Sequence, residues 1–384
     1  MKKIAHIIIT GYVEGCAYQE NILPRKHKEL GFEVIILVSK YSRQMKGREY
    51  FERETGTYIN NDGISVCVLD KPKGFIKSNI LHYKTSGLYE KLCEYKPDII
   101  FLHEVKYSEN RDVVKYVIEN PEVKLYADSH IDYYNSPEKT IKQKLAGLLS
   151  KCNAKKLNKI AKLFWGTTPW RVEHLIGYFG LPKEKCRLLI MGGDESQILA
   201  INKDEVRKEI RSKYKIPQDA FLVITGGIID KRKHQELLME AVRRLESKCV
   251  WLIVFGTPDD DMKEVCDYYS SNKNIVFTGW VEASFSNKLM LASDLAVFPG
   301  THSVLWEQAA TCSLPQLIRH WSGMEHINVN GNAILLDEVS IETIENEIKK
   351  CLNKDYYKEF KLKAEEAAPN FYYIEIAKKS IELL

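Results

Sequence analysis

Short apolar runs recur along the chain and are separated by longer segments in which apolar residues have helical spacing. In the first half these runs include IAHIIIT, EVIILVS, PDIIFLHE and VKLYADSH, and the pattern restarts in the second half with AFLVITGG, CVWLIVFG, NIVFTGWV and SDLAVFPG. Buried parallel strands that alternate with helices produce such a pattern. We therefore predict an α/β protein with two doubly wound, Rossmann-like domains that face a central cleft, where the carboxyl ends of the strands would bind ligands.

Polar residues in the segment GGDESQILAINKDE mark the boundary between the two halves. We place the first domain at residues 1–198 and the second at 199–368. The segment 369–384 has helical periodicity after Pro369, and it is predicted to form a helix for which a return to the first domain is one option.

Composition narrows the class of protein. The 384 residues are 45% hydrophobic and 28% charged, as in globular proteins. The run Ile4–Ile9 is interrupted by His6 and is too short for a signal peptide, and no run approaches the ~18 apolar residues of a membrane span. The nine cysteines are scattered without a CxxC pair, which is typical of reduced thiols in a cytoplasm and argues against a zinc site. We expect a cytoplasmic protein.

The charge is unevenly distributed between the halves. The net charge is +4, but residues 1–200 carry 32 Lys and Arg against 24 Asp and Glu. An excess of this size does not indicate nucleic-acid binding, but it suggests that the first half meets an anionic group. The acidic run at 259–261 is interpreted as a solvated helix start and not as a metal site.

A glycine turn followed by basic residues lies in the stretch VITGGIIDKRKHQELLMEA, residues 223–241. The strand ends at Gly226 and Gly227, and Lys231, Arg232 and Lys233 precede the next helix. Glycines admit a ligand close to the backbone, and positive charge beside a helix start suits a phosphate. The alternative is a solvated basic turn.

A second candidate feature is the stretch HSVLWEQAATCSLP, which follows a buried apolar run. Ser303 is predicted to cap a helix on which Glu307 shares a face with Val304 and Thr311. Glu307 has two possible roles. As an acidic residue near the helix start it would interact favourably with the helix dipole, or it would accept hydrogen bonds from the hydroxyl groups of a ligand.

Residues 221–320 resemble the donor domain of the family 4 retaining glycosyltransferases, the glycosyl transferases group 1, which have the GT-B fold. The resemblance rests on Gly227, Lys233 and Ala241 at the family's spacing, on NIVFTGWV and LMLASDLAVFPG, and on WEQAATCSLPQLI, which is similar to the family's helix E-A-x-A-x-G-x-P. Two positions depart from the family pattern: Ile228 stands where the family has arginine, and Pro299 where it has a first glutamate.

The resemblance implies a role for each matching residue. Lys233 would hold the pyrophosphate of a nucleotide sugar of the UDP or GDP type, and Glu307 would accept hydrogen bonds from its ribose. The remaining donor-binding residues implied in this way are Gly227, Lys231, Arg232, Trp280 and Val281 against the base, and the amides of His302, Ser303 and Val304. No cofactor and no metal would be required.

The first half resembles the acceptor domain of that family. The loop TGYVEGCAYQEN, with Gly11, Glu14, Gly15 and Tyr18, stands where the family has a glycine-rich acceptor loop. His130, at the end of VKLYADSH, matches a histidine that faces the donor sugar, and Asp128 and Asp132 could orient or charge it. A structural role for His130 is the alternative.

A lysine-rich segment, residues 139–162, has eight lysines and no acidic residue. Its apolar residues fall largely on one helical stripe, which comprises Ile141, Leu145, Leu148, Leu149, Cys152 and Ile160. Such a helix could lie on an anionic membrane that carries a lipid-linked acceptor. The interpretation favoured by the sequence is a helix packed on the core with a solvated lysine face.

The resemblance thus implies a metal-independent retaining glycosyltransferase with His130 and Lys233 as catalytic residues, and we expect a lipid-linked bacterial surface glycan as acceptor. Two alternatives stay open. One is a non-catalytic GT-B partner in a biosynthetic complex, suggested by Ile228 and Pro299, and the other is a sugar-nucleotide epimerase on the same fold.

Overall fold

A computed structural model describes residues 1–14, 18–43, 50–71, 85–135 and 140–383. The chain forms two compact units, the first made of Met1–Ile190 with Ile376–Leu384 and the second of Met191–Glu375. The first unit ends earlier than the predicted residue 198. The reason is that Gly193 already pairs with Tyr372 in a parallel bridge, and its amide donates to Thr311 Oγ1 at 2.8 Å.

The first unit contains the β-strands up to residue 188. They are β1 (Lys3–Ile8), β2 (Glu33–Ser39), β3 (Tyr41–Arg43), β4 (Tyr50–Glu52), β5 (Gly56–Ile59), β6 (Ser65–Leu69), β7 (Ile99–His103), β8 (Lys124–Ser129), β9 (Ala161–Gly166) and β10 (Cys186–Leu188). Eight of them form a sheet in the order β10-β9-β8-β7-β1-β2-β6-β5, in which only β5 runs antiparallel to its neighbour, and β3 pairs with β4 as a separate antiparallel ribbon.

Within the described residues of this unit, five helices lie between the strands. They are α1 (Gln19–Glu29), α2 (Leu88–Tyr95), α3 (Asn110–Glu119), α4 (Ile141–Lys155) and α5 (Pro169–Gly177). The central strands β1 and β7 are buried except for Lys3 at the start of β1, because helices cover both faces of a parallel sheet.

The second unit is built around a fully parallel sheet of six strands in the order β13-β12-β11-β14-β15-β16. The strands are β11 (Phe221–Gly226), β12 (Val250–Phe255), β13 (Ile275–Gly279), β14 (Leu295–Phe298), β15 (Gln316–Arg319) and β16 (Ala333–Leu336). Its helices are α6 (Glu195–Leu199), α7 (Lys203–Lys213), α8 (Gln235–Arg244), α9 (Lys263–Ser270), α10 (Ala283–Ala292), α11 (Leu305–Thr311), α12 (Ile341–Cys351) and α13 (Lys354–Ala367). The predicted pair of Rossmann-like α/β units is confirmed.

The last helix, α14 (Tyr373–Ser380), begins in the second unit and ends in the first. Within the first unit, Trp165 Nε1 donates to the carbonyl oxygen of Ser380 at 2.9 Å, and the Tyr126 hydroxyl donates to Glu382 at 3.0 Å. The C-terminal segment is therefore part of the packing of the first unit.

The lysine-rich helix α4 differs from the favoured interpretation. Ile141, Leu145, Leu148 and Leu149 are between 54% and 79% exposed, Cys152 is exposed, and the helix buries only Gly147 and Ala154. Ile160 lies outside the helix, in the turn before β9, and packs against the core. The interpretation of 139–162 as a core-packed helix is thus wrong for α4, because the helix buries its small residues and exposes its leucines.

None of the helices within the described ranges is both long enough and apolar enough to cross a lipid bilayer.

Candidate functional site

Three loops that follow strands of the second unit touch one another, because Gly256 and Gly300 have no side chain. Gly227, directly after β11, has φ +99°, and a Cβ on Gly256 after β12 would lie 1.8 Å from the Gly227 carbonyl oxygen. A Cβ on Gly300 after β14 would lie 2.3 Å from Lys233 Cα. Side chains at Gly256 and Gly300 would therefore separate the loops.

Lys233 is held at this meeting point. Its Nζ donates to the carbonyl oxygens of Thr301 at 2.7 Å and His302 at 3.0 Å. Burial lowers the pKa of Lys233 to about 8, although the charge of Asp230 acts in the opposite direction. The ammonium thus fixes the loop after β14.

The other two basic residues of this turn are more exposed. Lys231 Nζ lies 3.5 Å from Asp261, and Arg232 Nε donates to Asp230 at 3.2 Å. The side chains of Lys231 and Arg232 are 71% and 72% exposed. They can reach a ligand only from the solvent side.

A small cavity of about 10 Å³ lies beside Lys233, which is room for one water molecule at most. Three buried polar atoms of its lining residues have no hydrogen-bond partner within the described chain: Thr225 Oγ1, Gln235 Oε1 and Trp306 Nε1. Buried polar atoms normally have a hydrogen-bond partner. The region beneath the loop can therefore form additional hydrogen bonds.

Glu307 on α11 is fully buried. Its Oε1 accepts from His302 Nε2 at 2.9 Å and from His326 Nε2 at 3.1 Å, and its buried Oε2 has no partner among the described residues. Burial acts to raise the pKa of Glu307, but His302 and His326 outweigh it and hold the pKa well below its usual range. The carboxylate is charged and keeps one oxygen unused.

His326 is a member of this site that the sequence analysis missed. It lies in a short 3-10 turn, Glu325–Ile327, between β15 and β16. The ligand atoms of His302, Glu307 and His326 lie within 4.8 Å of one another, so this group could hold a metal ion. Two imidazoles and a carboxylate are a donor set that zinc accepts.

The predicted cap of α11 is corrected by the structure. The helix begins at Leu305, and the residue before it, Val304, already has helical φ −56° and ψ −16°. The Ser303 hydroxyl accepts only a long contact of 3.4 Å from the Leu305 amide. Because the chain turns helically one residue early, Ser303 lies in the turn before the helix and is not its N-cap.

Trp280 and Val281 follow β13 directly, at the carboxyl edge of the sheet. Trp280 is 70% exposed, and Ile228 after β11 is also exposed. An exposed aromatic ring at this edge is available for stacking.

In the first unit, His130 follows the end of β8, and its Nε2 lies 3.6 Å from Asp128 Oδ2. Burial acts to lower the pKa of His130, but Asp128 and the charge of Glu20 together outweigh it, so that the pKa is raised. The other predicted neighbour, Asp132, instead contacts Arg171 Nε at 3.3 Å and accepts from the amides of Tyr134 and Asn135. Only Asp128 of the two acidic residues faces His130.

The loop after β1 approaches the same edge. A Cβ on Gly11, at φ +100°, would lie 3.5 Å from Glu20 Oε1, and the charge of Glu20 also acts on His130. Tyr18 directly precedes α1, and Glu14 lies earlier in the same loop. The predicted loop residue Gly15 lies outside the described residues.

Residues 206–371 match the family model "Glycosyl transferases group 1". The second unit carries a glycosyl transferases group 1 domain. A 95-residue stretch, 25% of the chain, is 28% identical to the lipopolysaccharide core biosynthesis glycosyltransferase LpsD of Rhizobium meliloti (strain 1021), and it covers 27% of that protein's length.

Several solved structures align with the whole chain. A glycosyltransferase from Rickettsia africae ESF-5 aligns with a TM-score of 0.70 at 14% identity, over 100% of this chain and 97% of its own. Anabaena Alr3699/HepE in complex with UDP also aligns with a TM-score of 0.70, at 16% identity, over 100% of this chain and 99% of its own. The two Rossmann-like units have the GT-B fold.

The group 1 domain brings together five of the predicted donor-binding residues. Gly227, Lys233, His302 and Ser303 lie on loops that touch, and Glu307 on α11 contacts His302. The domain leaves the side chains of Lys231, Arg232 and Trp280 exposed at the edge. Nothing in the sequence marked His326, although a histidine in the loop before the last strand of the sheet could have been considered.

Proposed function

We propose that the protein is a retaining glycosyltransferase that transfers a sugar from a nucleoside diphosphate sugar to a glycan acceptor. The observation that carries the proposal is the buried, charged Glu307, whose Oε2 has no partner among the described residues and which lies on a group 1 domain beside the loop that Lys233 holds. A buried carboxylate oxygen without a partner is costly, and the hydroxyl groups of a ribose would supply the missing donors.

The other donor contacts follow from the same arrangement. Lys233 would place positive charge where the diphosphate leaves, and an electrostatic contact of this kind stabilises the charge that develops in the transition state. The leaving group would then need no metal ion. Trp280 and Val281 would lie against the base, and His130 would contact the transferred sugar.

The nature of the ligands is supported by the similar proteins. HepE binds UDP according to its structure, which favours UDP over GDP as the nucleotide here. LpsD acts in lipopolysaccharide core biosynthesis, which supports a bacterial surface glycan as acceptor.

Nucleotide binding is the first test. We would titrate the protein calorimetrically with UDP, GDP, ADP and CMP, and compare Lys233→Ala with Lys231→Ala, an exposed lysine of the same turn. Loss of a charge-assisted contact of about 1.5–3 kcal/mol predicts a roughly 10- to 150-fold weaker Kd in Lys233→Ala. Lys231→Ala should change the Kd by no more than about threefold.

Three results would contradict the proposal. An unchanged Kd in Lys233→Ala would remove the lysine from the donor site. If no nucleotide binds to the wild-type protein, a non-catalytic partner in a glycan-biosynthesis complex becomes the better account. Consumption of a UDP-sugar without any acceptor would instead indicate an epimerase.

A lipid-linked acceptor is the finer part of the proposal. The exposed leucines of α4 lie among lysines with no acidic residue on the helix, and apolar side chains with basic neighbours suit an anionic membrane surface. We propose that α4 holds the enzyme at the membrane that carries its acceptor.

A further inference from the structure

Two imidazoles and one carboxylate meet inside the second unit and form a candidate metal site. His302 Nε2 lies 2.9 Å from Glu307 Oε1, and His326 Nε2 lies 3.1 Å from the same oxygen. Glu307 is fully buried, and the side chains of His326 and His302 are 2% and 13% exposed. Three donor atoms are thus collected in a place that is almost closed to solvent.

The distances between these atoms are close to those of a tetrahedral zinc site. Zinc binds imidazole nitrogen and carboxylate oxygen at bond lengths that place neighbouring ligand atoms about 3.3 Å apart. The two contacts of Glu307 Oε1, at 2.9 and 3.1 Å, approach this spacing. All ligand atoms of the group lie within 4.8 Å of one another. The separation between the two imidazoles would have to shorten by a shift of the His302 ring, which is the more exposed of the two.

The three ligands lie on elements that the fold already holds in place. Lys233 donates to the carbonyl oxygen of His302 at 3.0 Å, and Glu307 lies in the first turn of α11. His326 lies in a 3-10 turn whose next residue, Ile327, is fully buried. A site whose ligands are held before the ion arrives needs little ordering when it binds.

The second oxygen of the carboxylate supplies a fourth donor. Glu307 Oε2 is buried and has no hydrogen-bond partner among the described residues, and a buried carboxylate oxygen left in this way is costly. An ion bound by both carboxylate oxygens and both imidazoles would have four ligands, the number that zinc prefers. Nitrogen donors do not suit Mg²⁺ or Ca²⁺, which take oxygen ligands. The chemistry of the site therefore favours zinc.

We propose that His302, Glu307 and His326 bind a zinc ion, and that the bound ion denies Glu307 to the ribose of a nucleotide sugar. The hydrogens that the two Nε2 atoms donate to Glu307 would move to Nδ1 or leave for the solvent, because zinc binds the nitrogen lone pair. An ion that uses Oε2 leaves no acceptor on this carboxylate for a ribose hydroxyl. Zinc would thus inhibit the enzyme without taking part in the reaction. This second part rests on the proposed function, which assigns Glu307 to the ribose.

The metal titration needs no nucleotide. We would titrate the metal-free full-length protein calorimetrically with Zn²⁺ and record its visible spectrum with Co²⁺ in place of zinc. The expected result is one ion per chain, a tetrahedral cobalt spectrum without thiolate bands, and no binding of Mg²⁺. His302→Ala and His326→Ala should each bind Zn²⁺ at least 100-fold more weakly, because even residues that only orient a metal ligand contribute about 10- to 100-fold.

His320→Ala is the matched control. It removes a more exposed imidazole of the same unit that contacts Asp337 at 2.6 Å and Glu325 at 3.5 Å, and it should keep the wild-type affinity. Thermal unfolding of each variant without metal shows whether its fold is intact, and His302→Ala decides if His326→Ala does not fold. Three results would overturn the site: no zinc binding by the wild-type protein, equal affinity in the wild type and His302→Ala, or the cobalt bands of thiolate ligation that exposed cysteines could give.

Competition with UDP tests the inhibition. With free Zn²⁺ held at ten times its own Kd, mass action should raise the apparent Kd of UDP for the wild-type protein about 11-fold. His326→Ala in the same buffer controls for zinc that UDP itself chelates, and its Kd for UDP should not respond to zinc. Zinc binding with an unchanged Kd of UDP, or an equal rise in His326→Ala, would overturn the inhibition. If the wild-type protein binds zinc but no UDP, the proposed function fails and with it the inhibition, while the metal site stands.

Discussion

At the scale of single residues, the protonation of Lys233 links the donor site to pH. Burial lowers the pKa of its amino group from 10.5 to about 8, so the cationic form is lost as pH rises through that range. If the ammonium binds the diphosphate, UDP affinity should fall by up to about tenfold between pH 7 and pH 9. Calorimetry at both pH values measures the change.

The control for this prediction is Lys233→Arg, because a guanidinium stays charged over the whole range. Its affinity, whatever the absolute value, should show little change between the two pH values. An equal fall in wild type and Lys233→Arg would assign the pH dependence to a different group.

The positions of single residues could be predicted from the sequence only where the local pattern fixes them. Lys233 was placed correctly in a turn after a strand, and Glu307 near the start of a helix. The sequence did not reveal that the Lys233 ammonium donates to the carbonyl oxygens of residues 301 and 302, or that His326 contacts Glu307. These contacts join separate loops, and their geometry is determined only when the sheet has formed.

At the scale of elements, periodicity predicted most strands and helices, but it did not predict which face of α4 is buried. A stripe of leucines looks the same whether it packs on a core or lies on a membrane. The structure excludes the core-packed alternative for the leucines, because Gly147 and Ala154 are buried and the leucines are exposed.

The exposed stripe of α4 should bind anionic vesicles. Replacement of Leu145 and Leu148 by serine removes two apolar side chains, and we expect at least tenfold weaker cosedimentation with phosphatidylserine vesicles. Leu362→Ser, which changes an exposed leucine of α13, is the matched control. Two results would contradict this prediction. One is equal binding of the double variant and the wild type to phosphatidylserine vesicles, and the other is wild-type binding to neutral vesicles that is as strong as its binding to anionic ones.

At the scale of the whole molecule, the chain forms two units and passes from one to the other twice. The segment 376–384 belongs to the first unit although it follows the second in sequence. Sequence periodicity predicted a C-terminal helix, but its destination depends on partners such as Trp165 and Tyr126, which lie more than 200 residues away.

A chain that ends at Glu375 tests how much the first unit depends on this segment. It would lack the hydrogen-bond partners of Trp165 Nε1, His27 Nε2 and the Tyr126 hydroxyl, and buried polar groups left unpaired cost about 1–3 kcal/mol each. We expect amide hydrogen exchange to accelerate in β1, β8 and β9 and to stay unchanged in β11, β12 and β14, which lie in the other unit. Equal acceleration in both sheets would mean that the units unfold together, and unchanged exchange in the first sheet would show that its stability comes from residues 1–190 alone.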